Sequence, residues 1–326
     1  MIGAKREGRT GLIATGLCWI ILCGVGVLVD DWLLAQVAIY LCYGIFAMGL
    51  SLIWGQAGIL SFGQAIFFGA GAYGFAVATL DMLPGTGTGI LTGLVFAVGL
   101  ATVLAWALAW LTFAGRGLSG AHFAIVTLCA AAVVEIAVTR SGFLGGYNGL
   151  FGVAPFTWGG EMIAERPMYY IMLGVAFAVF LGVTAIVRSP YGTVLEAIRD
   201  DENRVAHLGY ETRRLKTVAF VIAGALSGLS GALFAAQFGF VSPSLLGFAL
   251  STQVLIWVAV GGRAVPLAAM VGALVVSGAE NTLSNTLGDL WLLVIGVIFV
   301  VVVIAAKNGL FGTLFRLPPP KRLRKT

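Results

Sequence analysis

Residues 89–114 read GILTGLVFAVGLATVLAWALAWLTFA, with no charge anywhere in the run. About 20 apolar residues in a helix span the hydrocarbon core of a bilayer. At that depth a lone segment satisfies its backbone polar groups only as a helix. The stretch is read as a membrane-crossing helix, and it decides the class of the chain. Similar runs lie on both sides of it, at 11–29, 33–54, 59–80, 118–139, 168–187, 217–238 and 290–306. A further apolar stretch, 250–278, is interrupted by Gly261-Gly262-Arg263 and by Pro266. It reads as two short helices that turn back at Arg263. The expectation is an all-α polytopic transmembrane helical bundle of about ten crossings, with some helices short or broken. The count falls to eight or nine if 250–278 is one bent helix or a re-entrant pair.

Composition agrees. Of 326 residues, 60% are hydrophobic and only 10% are charged, and mean hydropathy is +1.01. Soluble domains carry roughly 25% charge, so these side chains cannot wet a soluble surface. A disordered chain, a nucleic-acid binder and a disulfide scaffold are excluded on the same ground. The net charge of +5 does not mark a nucleic-acid surface, because the charges sort by side of a membrane. With Lys5, Arg6 and Arg9 in the cytoplasm, the inside segments hold Arg116, Arg188, Arg199, Arg204, Arg213, Arg214, Lys216, Arg263, Lys307, Arg316, Lys321, Arg322, Arg324 and Lys325. Of the 19 Lys and Arg, only Arg140 and Arg166 fall outside. Asp30, Asp31, Asp81, Glu161, Glu165 and Asp289 lie there too. The positive-inside rule therefore puts both termini in the cytoplasm. One transmembrane domain is expected over 1–316, with a cytoplasmic loop at 188–216 and a basic cytoplasmic tail at 317–326.

The first segment has the basic start and apolar run of a signal peptide. The run is long, and Val29-Asp30-Asp31-Trp32 offers no small-residue cleavage site, so it is read as an uncleaved helix. The 4 cysteines, Cys18, Cys23, Cys42 and Cys129, lie in apolar runs without a C-x-x-C pair. They read as small buried hydrophobes, and no metal site is expected.

Glycines at Gly63, Gly69, Gly71 and Gly74, and at Gly224, Gly228 and Gly231, fall inside apolar helices. Such small residues let helix backbones approach closely. The alternative is a hinge, or backbone lining a solute path. Gly69-Ala70-Gly71-Ala72-Tyr73-Gly74 matches G-x-G-x-x-G. It lacks the strand before it and the acid roughly 20 residues on that a dinucleotide site needs. No G-x-x-x-x-G-K-[ST] occurs in the chain. If transport uses ATP, another chain hydrolyses it.

Charge concentrates at 188–216, which holds Arg188, Glu196, Arg199, Asp200, Asp201, Glu202, Arg204, Glu211, Arg213, Arg214 and Lys216. Residues 193–208 read as one amphipathic helix, with Val194, Ile198, Val205 and Leu208 near one face and Gly209 as its stop. A helix lying on headgroups favours Lys and Arg on its polar face. This one has balanced charge, which fits a protein partner better than anionic lipid.

The run RSPYGTVLEAIRDDENRVAHLGY at 188–210 resembles the cytoplasmic loop of ATP-binding cassette (ABC) importer permeases of the branched-chain amino acid and urea type. WGQAGILSFGQAIFFGAGAY at 54–73, HFAIVTL at 122–128 and GALSGLSGALF at 224–234 follow the same family's order. The resemblance covers roughly residues 35–315. It implies a permease subunit in the cell inner membrane, paired with a second homologous permease. It also implies two separate ATPase subunits, which use ATP and Mg, and an extracytoplasmic solute-binding protein. The chain itself would bind no cofactor and would be no enzyme. Tyr191, Val194, Glu196, Ile198, Arg199, Arg204, Ala206, Leu208 and Gly209 would form the helix that couples it to the ATPase. Ala206-His207-Leu208-Gly209 matches the family's A-x-x-G, whereas the first part of the loop follows the general importer pattern only loosely. IWVAVGGR at 256–263 and GFLGGYNG at 142–149 look more like urea permeases. The solute reading therefore leans to urea or a short amide, with a branched-chain amino acid close behind.

Polar groups in crossings are candidates for the solute path, since an intramembrane charge is functional by default. They are Gln56, Ser61, Gln64, Glu135, Asn148, Gln253, Trp257 and Glu280, with Glu280 opening an outer loop. The alternative is interhelical hydrogen bonding or placement at the interface. A stand-alone channel or ion-coupled carrier is the competing class. It would leave the charged island unexplained, and ionisable residues within the spans are sparse.

Overall fold

The computed structural model describes residues 2–82, 89–113, 120–158, 161–287, 296–297 and 309–315. The helices run α1 (Ile2–Leu28), α2 (Asp31–Ser51), α3 (Gln64–Thr79), α4 (Ile90–Phe113), α5 (Gly120–Arg140), α6 (Glu165–Arg188), α7 (Pro190–Asp200), α8 (Glu202–His207), α9 (Thr212–Phe238), α10 (Phe248–Gly261) and α11 (Pro266–Leu287). α2 passes directly into a π-helical turn, Leu52–Gln56. Two antiparallel pairs of two-residue strands cap one end. β1 (Leu150–Phe151) pairs with β4 (Phe240–Val241), Leu150 opposite Val241. β2 (Thr157–Trp158) pairs with β3 (Glu161–Met162), Thr157 opposite Met162.

Among the described residues, 7 helices are long and apolar enough to cross a membrane, and α3 and α10 are shorter apolar helices. The chain is an all-α polytopic membrane bundle. The expected crossing at 290–306 lies outside the described residues apart from 296–297. So do Arg116, Asp289, Lys307 and the basic tail from Arg316 onward.

Three expectations are corrected. The run at 59–80 is not one helix: α3 starts only at Gln64 and is 16 residues long, about 24 Å at 1.5 Å per residue. The preceding break survives because its backbone donors are met from other elements. The Phe62 amide donates to Thr127 Oγ1 at 3.1 Å, and in the first turn of α3, whose amides lack helical partners, the Ala65 amide donates to Ser251 Oγ at 3.1 Å. Irregular backbone at membrane depth is tolerated only where protein satisfies it in this way. The 250–278 stretch does turn at 262–265, but α11 runs on for 22 residues. Glu280 therefore lies within α11 and opens no loop. Finally, 193–208 is two helices, because Asp201 ends α7 and caps α8, its carboxylate accepting from the Arg204 amide at 3.0 Å. An Asp at an N-cap satisfies one of the orphan amides of a new helix.

α3 is the axis of the bundle, and every one of its residues is buried. It packs mainly on α4 and α9, with α5, α10 and the 243–246 turn also against it, and Tyr43 and Phe46 of α2 meet its Phe68 ring. Small residues permit this. Gly71 faces the Gly228 backbone, and Gly231 faces the Phe68 carbonyl, both too closely for a Cβ. The same glycine face of α9 sets Gly224 and Gly228 against the Cβ atoms of Ala105 and Ala101 in α4. The glycine-rich stretches are thus helix-packing faces, and van der Waals contact is what joins helices in lipid. The G-x-G-x-x-G run is part of this buried helix. α1 is peripheral and packs on α6, where Tyr169 donates to the Leu22 carbonyl at 2.6 Å.

Candidate functional site

α7 and α8 project from one end of the bundle. Ser189 caps α7, accepting from the Gly192 amide at 3.3 Å, with Pro190 in the first turn. This is the usual chemistry of a helix start. Gly209, at φ +89°, ends α8 in the left-handed conformation that glycine adopts freely.

The apolar face of this segment turns inward. Leu195, Ile198 and Val205 are buried in the chain's own core, and Tyr191 and Val194 pack against it. Tyr191 donates to the Leu215 carbonyl at 2.7 Å, and burial pushes its hydroxyl up to about 12. The expectation that Ile198 offers itself to a partner is thereby corrected: α7 spends that face on the bundle. Arg199 also turns back, its Nη1 donating to the Gly55 carbonyl at 2.6 Å, while its Nε lies 3.3 Å from Asp200 Oδ1. Besides Arg199, the exposed residues of 191–210 are Thr193, Glu196, Ala197, Asp200, Asn203, Arg204 and those at 206–210. Leu208 is 72% exposed and Tyr210 50%.

Beneath the segment, Lys216 Nζ lies 2.6 Å from Glu202 Oε1 and 5.0 Å from the centre of the Phe113 ring. Phe113 stacks on Phe123 at 5.1 Å, and both meet Phe220 edge-on. A cavity of about 210 Å³ opens here, between the 57–60 break and residues 198–202. Arg263 shares this end, since its carbonyl abuts Gly55 and its guanidinium lies 5.8 Å from the Trp54 ring. Arg166 pairs with Asp31 at 3.3 Å at the opposite end.

The solute-path candidates separate into groups. Gln56 and Gln64 are buried near the charged end. Gln56 donates to the Ala264 carbonyl at 3.0 Å, and Gln64 to Ser227 Oγ at 2.9 Å. The side-chain oxygens of both lack a hydrogen-bond partner. Ser61 is buried in the break and accepts from the Gly63 amide at 3.3 Å. Toward the opposite end, Gln253 donates to Glu280 Oε2 at 2.8 Å, bridging α10 and α11. Beside it Asn281 donates to Gln36 at 3.0 Å, bridging α11 and α2. Trp257, one turn below Gln253, is buried with its ring 4.7 Å from that of Tyr43. Glu135 is separate from this cluster: its carboxylate packs against Gly247, the residue that starts α10. A carboxylate at a helix N-terminus is stabilised by the helix dipole. Asn148 is exposed in a short turn after α5 and joins neither group.

Gln36, Tyr43, Ser227 and Ser251 were not among the sequence candidates. Each is a polar residue inside an apolar run, a signal that many purely structural residues share.

A family model described as branched-chain amino acid transport system / permease component matches residues 33–303. The high-affinity branched-chain amino acid transport permease LivM of Escherichia coli K12 is 30% identical over 293 residues, covering 82% of this chain and 67% of the relative. LivM of Salmonella typhimurium is 31% identical over the same shares. BraD of Pseudomonas aeruginosa, of the same transport type, is 22% identical over 83% of this chain and 91% of the relative. No solved structure matches. These relatives lend no support to the leaning toward urea. A match across most of the chain, joined to a bundle with a charged two-helix projection at one end, makes this a transport subunit and a member of the branched-chain amino acid permease family of ABC transporters.

Proposed function

We propose that the chain is one membrane subunit of an ABC importer that carries a branched-chain amino acid inward across the cytoplasmic membrane. The observation that carries this reading is the projection of α7 and α8, with Leu208 and Tyr210 outward, from a chain that has no phosphate-binding loop. An exposed leucine and tyrosine among charges are what a protein partner buries as anchors. The partners are two ATPase subunits at that cytoplasmic end, a second homologous permease, and a solute-binding protein outside. ATP and Mg belong to the ATPase subunits, and this chain needs no cofactor.

An amino acid fits better than urea. The relatives are named for branched-chain amino acids. Glu280 also supplies a carboxylate within a spanning helix, bonded by Gln253. An ammonium group passing the α2–α10–α11 cluster gains from that charge, whereas neutral urea does not. Uptake of labelled leucine and of urea by the reconstituted complex tests this. ATP-dependent leucine uptake that falls in Glu280→Gln is expected. Urea uptake in its place would overturn the solute reading. Uptake by the permease without ATPase subunits would overturn the importer reading.

A further inference from the structure

Three parts of the fold meet at Arg199. Its guanidinium holds the Gly55 carbonyl from α7. Its methylenes lie on Gly58, where φ is +71° and an added Cβ would stand 2.6 Å from Arg199 Cγ. Gly55 in turn has no room for a side chain, because the Arg263 carbonyl occupies it. Gln56, the next residue, donates to the Ala264 carbonyl at 3.0 Å. α7, the π turn of α2 and the α10–α11 turn are thus in unbroken contact.

The π turn at Leu52–Gln56 is where the end of α2 departs from α geometry. Such turns are single wide turns inserted in an α-helix. Rewinding one to α geometry moves the following residue by about 1.5 Å in rise. A charged donor on a carbonyl makes a stronger bond than a neutral one, and Arg199 places that donor on the turn from another helix. α7 is seated on the core through Leu195 and Ile198, so it moves with what it touches. Beyond the π turn, α2 runs back toward Gln36, about 28 Å away at 1.5 Å per residue. α10 and α11 carry Gln253 and Glu280 in the same direction.

We infer that Arg199 is a positioning residue that transmits displacement of α7 and α8 to the π turn of α2, and through Gly55 and Gln56 to the α10–α11 turn. This rests on α7 and α8 being the segment that docks the ATPase. Coupling between distant sites needs a two-state element that both sites bias, and the π turn fills that role. Arg199 then determines how much transport follows from each ATP hydrolysed, and leaves hydrolysis itself to the ATPase.

The test uses the whole complex in proteoliposomes with its binding protein. Arg199→Met keeps the methylenes over Gly58 and removes the donor to Gly55. Assembly and ATP hydrolysis should stay within about twofold of wild type, while leucine taken up per ATP falls at least about tenfold. Arg199→Lys should recover part of that ratio. An unchanged ratio in assembled Arg199→Met overturns the inference. Hydrogen exchange on the wild-type complex gives a second readout that needs no variant. Trapping the ATPase with vanadate should change protection at 190–208, 52–60 and 262–266 together. A change at 190–208 alone overturns the inference and leaves the docking reading intact. No change at 190–208, with Leu208→Asp fully coupled, removes the docking reading and this inference with it.

Discussion

Lys216 Nζ sits 2.6 Å from Glu202 Oε1, and the two side chains differ in exposure, 7% for Lys216 against 35% for Glu202. The pair fastens α8 to the start of α9, and the Phe113 ring lies beside the ammonium. Removing either partner has unequal consequences. Glu202→Ala leaves a buried ammonium unpaired, costing about 3 kcal/mol. Lys216→Met keeps the volume and leaves a carboxylate that water can reach, costing about 1 kcal/mol. The apparent midpoint of thermal unfolding in detergent should fall further for Glu202→Ala. The reverse order would show that the pair is more exposed than this geometry.

Ile198 and Leu208 should respond differently to the same change. Ile198→Asp buries an unpaired carboxylate in the core and should lower the yield of folded permease. Leu208→Asp alters an exposed side chain and should leave unfolding within about 0.5 kcal/mol of wild type. It should nevertheless reduce co-purification of the ATPase and solute-stimulated hydrolysis. Charge reversal at Glu196 or Arg204 should be mild, since exposed ion pairs contribute roughly 0–1 kcal/mol. Equal loss of folded protein in both Asp variants would refute this division of the segment.

Where α3 meets α9, Gly71→Ala and Gly231→Ala should force the helices apart and destabilise the permease by about 1–3 kcal/mol each. Gly174 and Gly182 in α6 have nothing within 4 Å of an added Cβ. Alanine there should be neutral or slightly stabilising in the same melting assay. Indifference at Gly71 would mean that the α3–α9 contact is looser than described.

Tyr191 makes the fold sensitive to alkali. Burial raises its hydroxyl from the ordinary 10 to about 12, so the folded state disfavours the phenolate. The stability this contributes is fully present below pH 10 and is lost as pH rises from there through about 12. Absorbance titration of wild type minus Tyr191→Phe should show a phenol ionising above the ordinary range. Tyr191→Phe should melt lower at neutral pH, having lost the bond to Leu215, but should lose less on going to pH 11. A difference titration centred at 10 would contradict the burial.

The class of this protein was written in its periodicity and its charges. The run at 89–114 became α4 almost residue for residue, because a long apolar helix in lipid has no competing solution. The helix pair at 250–278 was legible from Gly261-Gly262 and Pro266, because Gly262 takes φ +135°, outside helical geometry, and Pro266 lacks the amide N–H a helix interior needs and so opens α11. Gly209, at φ +89°, marked the end of α8 through its left-handed conformation. Other features depended on partners distant in the chain. The break before α3 is invisible locally, since 59–63 is uncharged and its irregular backbone is held where Thr127 meets the Phe62 amide and Ser251 meets the Ala65 amide in the first turn of α3. Amphipathicity located the segment at 193–208, but not which surface its apolar face would cover. Leu195, Ile198 and Val205 were claimed by the bundle, and of the large apolar side chains Leu208 and Tyr210 were left outward. Arg199 read as a partner-facing residue of the coupling helix until the fold set its guanidinium on the Gly55 carbonyl, 144 positions away. Local patterns fix what a segment prefers, whereas the use of each side chain depends on which neighbour reaches it, and that is decided by packing.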